Sequence, residues 1–259
     1  MNRLDGKVAV ILGASNPDSM GAATARRFAA EGARVVLGAR RLESLQEVAG
    51  SVDAIAVECD IRDEEQLAAL ADRAISEFGR LDVAVNYAGV NVSAPISKIS
   101  RDSLQLACDV HFIGSTLFFK HMGNRANDGG ALITTSTLTA LIAPPGMAAY
   151  AGTKRGVDQV VRIAAVEFGK RGIRVNAIAP GFVRSAMTEE LFNMPSVTEA
   201  FEKETALDRL ANVEDIANAA LWLASDEAFI TGQVIDVTAG QSLNRIPTRA
   251  EMAGGNRSK

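Results

Sequence analysis

Lys7-Val8-Ala9-Val10-Ile11-Leu12, then Gly13-Ala14-Ser15-Asn16-Pro17-Asp18-Ser19-Met20-Gly21, then Ala22-Ala23-Thr24-Ala25-Arg26-Arg27-Phe28, is the stretch that decides the fold. The run into Leu12 is continuously apolar, as in a strand buried on both faces. A loop of small residues separates it from a helical pattern. Strand, Gly/Ser loop and helix together present backbone N–H groups and a helix N-terminus to a phosphate. Ser19 suits an N-cap, and its hydroxyl could also reach a pyrophosphate. The spacing is not G-x-G-x-x-G, so a tight surface turn is the competing reading of this loop taken alone.

Outward from this unit, apolar runs at 7–12, 34–38, 54–59, 82–86, 131–136, 173–178 and 233–237 predict strands. Helical patterns fall between them at about 20–31, 41–50, 63–78, 101–122, 150–170 and 213–225. Alternation of this kind predicts an α/β fold: one Rossmann-like, doubly wound parallel sheet of about seven strands with helices on both faces. No repeat or interior linker divides the chain, so 1–243 is expected to be a single domain. The polar tail 244–259 reads as a frayed end, or as a segment that packs on a neighbouring subunit.

The chain has 259 residues and a formal net charge of −4. That balance gives no basic field for nucleic acid or anionic lipid. No run approaches the roughly 18 apolar residues of a membrane span. The first strand begins within a few residues of Met1, which leaves no room for a signal peptide. Cys59 and Cys108 suggest neither a disulfide framework nor a metal site, and two reduced thiols fit a cytoplasmic protein.

Tyr150-Ala151-Gly152-Thr153-Lys154 sets a phenol and an ammonium on one helix face, since residues i and i+4 stack. A free tyrosine, with a pKa near 10, is a poor base at neutral pH. A cation about 4 Å away at an effective dielectric near 20 is worth roughly 4 kcal/mol, enough to bring the phenol down by about three units. A phenol titrating near neutrality is a competent general acid or base. A half-buried tyrosine beside a solvated lysine is the plainer alternative.

Both ends of the chain together resemble the short-chain dehydrogenase/reductase family, from about Leu4 to Leu243. Further landmarks stand in the family's order: Asp60-Ile61, Asn86-Tyr87-Ala88-Gly89, Asn176-Ala177-Ile178-Ala179-Pro180-Gly181 and Ile230-Thr231-Gly232-Gln233. The resemblance implies an oxidoreductase that interconverts a ketone and a secondary alcohol, similar to a 3-oxoacyl reductase, with Tyr150 and Lys154 catalytic. It implies a phosphate cradle of Gly13, Ser15, Ser19 and Met20. Asp60 and Ile61 would meet the adenine, and Asn86, Ala88 and Gly89 would floor the ribose. Pro180, Val183 and Ser185 would hold the nicotinamide end, while Tyr150 and Lys154 reach its ribose. The family's substrate-orienting serine, thirteen positions before the tyrosine, falls on Thr137, with Ser136 as the alternative. The family's water-holding asparagine aligns with His111, which could hold that water, relay a proton itself or be purely structural.

At the end of the second strand stand Gly38-Ala39-Arg40-Arg41, where an NAD-binding fold usually has an acid. Arginine can grip a 2′-phosphate bidentately, so NADP(H) is expected in preference to NAD(H). The Gly loop departs from the family's usual form: Leu12 replaces a threonine, and the loop is longer and lacks its middle glycine. Residues 182–207 read as a lid over the substrate, and Met187, Leu191, Phe192, Met194, Val197 and Phe201 suit an apolar or acyl-chain small molecule. Val157, Val160, Val161, Ala164, Ala165 and Phe168 form a stripe on the helix after Tyr150, read either as a core face or as a homo-oligomer (dimer or tetramer) contact. A low-turnover cofactor-binding or scaffold protein of the same fold is the alternative function.

Overall fold

The computed structural model describes residues 2–185 and 188–254. Met187 of the expected lid and residues 255–259 of the expected tail lie outside them. Seven parallel strands form one sheet: β1 (Val8–Leu12), β2 (Arg34–Ala39), β3 (Ile55–Glu58), β4 (Val83–Asn86), β5 (Ala131–Thr135), β6 (Arg174–Pro180) and β7 (Val234–Val237). Their order is β3-β2-β1-β4-β5-β6-β7. Strand order therefore reverses between β1 and β4, where Leu12 is in register with Gly38 on one side and Asn86 on the other. A ligand crevice opens outside the carboxyl ends of strands at such a reversal.

The helices are α1 (Met20–Ala30), α2 (Leu42–Gly50), α3 (Glu64–Phe78), α4 (Arg101–Ala107), α5 (Gly114–Arg125), α6 (Ala148–Phe168), α7 (Glu189–Phe192), α8 (Pro195–Glu202), α9 (Val213–Ala224) and α10 (Arg249–Met252). Strand side chains alternate between the two faces. Ala9, Ile11 and Leu37 pack with Phe28, Leu45 and Ile216 on one face. Val10, Leu12 and Val36 pack with Leu70, Phe118 and Val161 on the other. Among the described residues no helix is long and apolar enough to cross a membrane.

Two details depart from expectation, and one open alternative is decided. The helix expected at 101–122 is broken by a π-helical turn, Cys108–Ile113, between α4 and α5. The stripe on α6 belongs to the core: Val157, Val161, Ala164 and Ala165 are buried against the sheet, and the apolar groups this helix leaves exposed are Ile163 and Val166. The described part of the tail does not fray. Ile246 and Met252 pack against Val197 and Phe201 of α8, and Arg245 bridges Glu251 at 2.6 Å and the buried Glu204 at 3.2 Å.

Candidate active site

The loop after β1 is shaped by close backbone approach. Gly13 has φ +95°, and a Cβ there would lie 2.8 Å from the backbone of Tyr87 and Ala88. Only glycine accommodates both constraints. Ser19 caps α1, its hydroxyl accepting from the Ala22 N–H at 3.1 Å, so the helix N-terminus opens beside the loop. A cleft of about 540 Å³ lies over this junction.

Gly13, Ser15, Ser19 and Met20 line one end of the cleft, with Arg40, Asp60 and Ile61 along its side and Ala88, Gly89 and Ser185 further on. Asn16, Arg41, Cys59 and Val110 line it too, beyond the sequence-based expectation. Arg41 was legible as a second guanidinium, and in the structure it reaches the Ser15 hydroxyl at 3.4 Å. Asn86 stands beneath the cleft instead. It is buried, accepts from the Ala88 N–H at 2.9 Å and donates to Ser115 at 3.1 Å, bracing the 87–89 turn. Asp60 lines the cleft while gripped by Arg62 at 2.6 Å, and that hydrogen bond is the main reason its pKa is held low. Val183 is buried, and its carbonyl accepts from the Thr188 hydroxyl, which also ties down Ser185. Pro180 closes β6.

Tyr150 enters from the first turn of α6 and Thr137 from the turn after β5. The Thr137 hydroxyl lies close enough to the Tyr150 phenol to draw its pKa down against burial, while its own hydrogen bonds run to Thr139, accepting from the N–H at 3.2 Å and pairing with the hydroxyl at 3.1 Å. Ser136, on the opposite side of the chain, faces Asp158 instead, although neither the Ser136 Oγ nor the Asp158 Oδ1 is completed by a hydrogen bond of normal geometry. Lys154 is buried, and its Nζ donates to the Thr135 carbonyl at 2.8 Å.

This placement corrects the expected electrostatics. The stacked i,i+4 arrangement holds, but the ammonium is anchored on β5, and burial raises the Tyr150 pKa while the nearby Thr137 hydroxyl opposes it. Burial also brings the Lys154 pKa down to about 8. The phenol is therefore protonated at neutral pH, a ready proton donor.

His111 sits on the π-helical turn, fully buried. Its Nε2 accepts from the Val90 N–H at 3.1 Å, so Nδ1 must carry the hydrogen. That Nδ1 faces the Thr153 hydroxyl at 2.9 Å, and the hydroxyl donates onward to the Ala149 carbonyl at 2.7 Å. Burial, followed by the Lys154 charge, pushes the imidazole down to about 3. With both nitrogens committed and the ring neutral, the expected relay by the imidazole is not supported. His111 instead ties the 89–90 turn to α6.

Phe182 is stacked between Phe192 at 4.5 Å and Phe201 at 4.1 Å. Together with Val197, Leu210, Ile246 and Met252 these rings make a cluster separate from the sheet's two cores.

The chain is similar to known proteins along nearly its whole length. The Enoyl-(Acyl carrier protein) reductase family profile matches residues 13–242. The 3beta-hydroxysteroid dehydrogenase 1 of Eggerthella lenta is 38% identical over 252 residues, covering 93% of this chain and 95% of that protein. The 3-oxoacyl-(acyl-carrier-protein) reductase FabG of Thermotoga maritima is 32% identical, covering 92% and 98%. A solved short-chain type dehydrogenase/reductase from Mycobacterium ulcerans superposes with a TM-score of 0.91 at 29% identity, covering 96% of this chain and 94% of that one.

Proposed function

The chain belongs to the short-chain dehydrogenase/reductase family and is an NAD(P)-dependent oxidoreductase of CH–OH and C=O groups; we propose that it interconverts a ketone and a secondary alcohol with NADP(H), Tyr150 giving and taking the proton. The observation that carries this reading is the placement of Tyr150 and a buried Lys154 one turn apart on α6, with the Thr137 hydroxyl near the phenol.

The cleft fits a nicotinamide dinucleotide. The Gly13 cradle and the N-terminus of α1 are suited to a pyrophosphate, with Ser15, Ser19 and Met20 around it. Arg40, with Arg41 and Ser15 close by, would take a 2′-phosphate. Asp60 and Ile61 would meet the adenine, Ala88 and Gly89 the ribose above the Asn86 brace, and Pro180, Val183 and Ser185 the nicotinamide end. When bound, the cofactor supplies or accepts the hydride.

The chain's own groups do the rest. Thr137 would donate to the carbonyl oxygen and orient it. Tyr150 would donate its proton to that oxygen as the alcohol forms, and its protonated state at neutral pH suits reduction. Lys154 would favour the phenolate that remains and contact the cofactor's ribose. Oxidation would run the same transfers backwards. Positioning of these hydroxyls carries the rate enhancement this reading requires.

The stacked phenylalanines at 182, 192 and 201 support an apolar body for the substrate, in line with relatives named for a hydroxysteroid and a 3-oxoacyl group. We further place the enzyme in the cytoplasm as a homo-oligomer, either dimer or tetramer. Exposed Phe112, Ile113, Ile163 and Val166 would supply a contact surface. The test of the reaction is a panel of hydroxysteroids, 3-oxoacyl thioesters and small ketones followed through NADPH absorbance. Turnover of an apolar member is expected, and cofactor binding without turnover of any member would contradict it.

A further inference from the structure

Past β7 the chain turns back onto the segment that follows β6. Ala239 holds φ +54°, a region that a residue with a Cβ rarely enters. Its carbonyl accepts from the N–H groups of Ala206 at 2.8 Å and Leu207 at 3.2 Å. Asn244 Nδ2 donates to the Glu204 carbonyl at 2.9 Å. Arg245 then sets its guanidinium between two carboxylates, forking onto Glu251 at 2.8 and 2.6 Å and reaching Glu204 at 3.2 Å. Glu251 is itself fixed by a capping box with Thr248 at the start of α10. The Glu204 side chain is 4% exposed, and a carboxylate so far out of water needs a close cation.

We propose that Arg245 is a positioning residue for the substrate: it latches the end of α8 through Glu204 and so sets the phenylalanine wall that an apolar substrate body meets. Glu204 follows Phe201 by three positions, and its N–H donates to the Phe201 carbonyl at 3.0 Å. A guanidinium that holds Glu204 therefore holds that turn. Phe201 in turn stacks on Phe182 at 4.1 Å, next in sequence to Val183 at the proposed nicotinamide end. The Phe182 N–H donates to Gln241 Oε1 at 3.1 Å, so the segment is tied at both ends to the stretch 239–245. Ile246 and Met252 pack on the same cluster, with Val197 and Leu210. That cluster is separate from the two cores beside the sheet, so loosening it leaves Tyr150 and the cofactor cleft in place. A small ketone at Tyr150 ends short of this wall, whereas an apolar body extends to it.

This inference rests on the proposed apolar substrate, so its test has one arm that needs no turnover. In full-length Arg245→Gln, amide hydrogen exchange across α8 and residues 204–207 should be about tenfold faster, with α1 and α6 unchanged. Arg245→Lys, which keeps the charge and loses the fork, should fall between. In the second arm, KM for an apolar substrate from the panel should rise about tenfold in Arg245→Gln at nearly constant kcat and NADPH affinity, while KM for a small ketone stays within about twofold. Unchanged exchange in α8 overturns the latch, whatever the enzyme turns over. Faster exchange with both KM values moved alike, or with neither moved, overturns the role in substrate positioning. Should Arg245→Gln fail to fold, Glu251→Gln frees the outer side of the fork, and unchanged α8 exchange there overturns the latch alone. Faster exchange in an enzyme that reduces no ketone would defeat the proposed reaction and leave the latch standing.

Discussion

The His111 ring meets the Tyr150 ring edge to face, with centroids 5.2 Å apart and planes at 89°. The contact puts an imidazole against the proposed proton donor, yet hydrogen bonds at both ring nitrogens keep it from acting as a base. What remains is a brace on the phenol ring and on the 89–90 turn.

A brace of this kind leaves a signature in acid. The His111 pKa is lowered from 6.5 to about 3 in the folded protein. The unfolded chain therefore binds the proton first as pH falls below 6.5, and folding stability drops from there towards pH 3; above 6.5 the contribution is complete. His111→Gln, which cannot titrate, should lose less stability than wild type between pH 7 and pH 4.5, by about 2 kcal/mol. Urea unfolding at the two pH values measures this, and equal losses would return the imidazole to a titrating role.

Thr137 and Ser136 are neighbours that face different partners, Tyr150 and Asp158. Thr137→Ala should cut kcat by about 100-fold, in the range of a lost positioned acid–base contact, with cofactor affinity unchanged. Ser136→Ala should stay within a few-fold of wild type. Equal losses in steady-state rate would leave neither hydroxyl as the one that orients the carbonyl.

The order of strands and helices was legible in this chain because long apolar runs such as Val8–Leu12 have only one home, a strand covered on both faces. Tyr150, Thr137 and the Gly13 loop were legible because their spacing is local. Other features were not. The π-helical turn at Cys108–Ile113 has the same apolar periodicity as an ordinary helix, so nothing foretold that His111 would be carried there. The anchoring of Lys154 on Thr135, nineteen positions away, is a long-range fact, and so is the burial of Tyr150 that reverses the direction expected for the phenol. The α6 stripe was ambiguous because a core face and a contact surface share one period; burial of Val157 and Val161 decides it.

Arg40 lines the cofactor cleft at the end of β2. Arg40→Asp should remove a cation from the proposed 2′-phosphate site and place an anion where a ribose hydroxyl can use it. The ratio of kcat/KM for NADPH over NADH should fall at least tenfold. An unchanged ratio would take Arg40 out of the phosphate site and leave Arg41 and Ser15 to be examined.

Removing one oxygen atom tests the central claim most directly. Tyr150→Phe keeps the ring that packs on His111 and deletes the hydroxyl beside Thr137. Fluorescence titration should show NADPH binding within a few-fold of wild type, while single-turnover ketone reduction slows by at least 1,000-fold, about 4 kcal/mol of barrier. Reduction at the wild-type rate in a folded, cofactor-binding Tyr150→Phe enzyme would contradict the account.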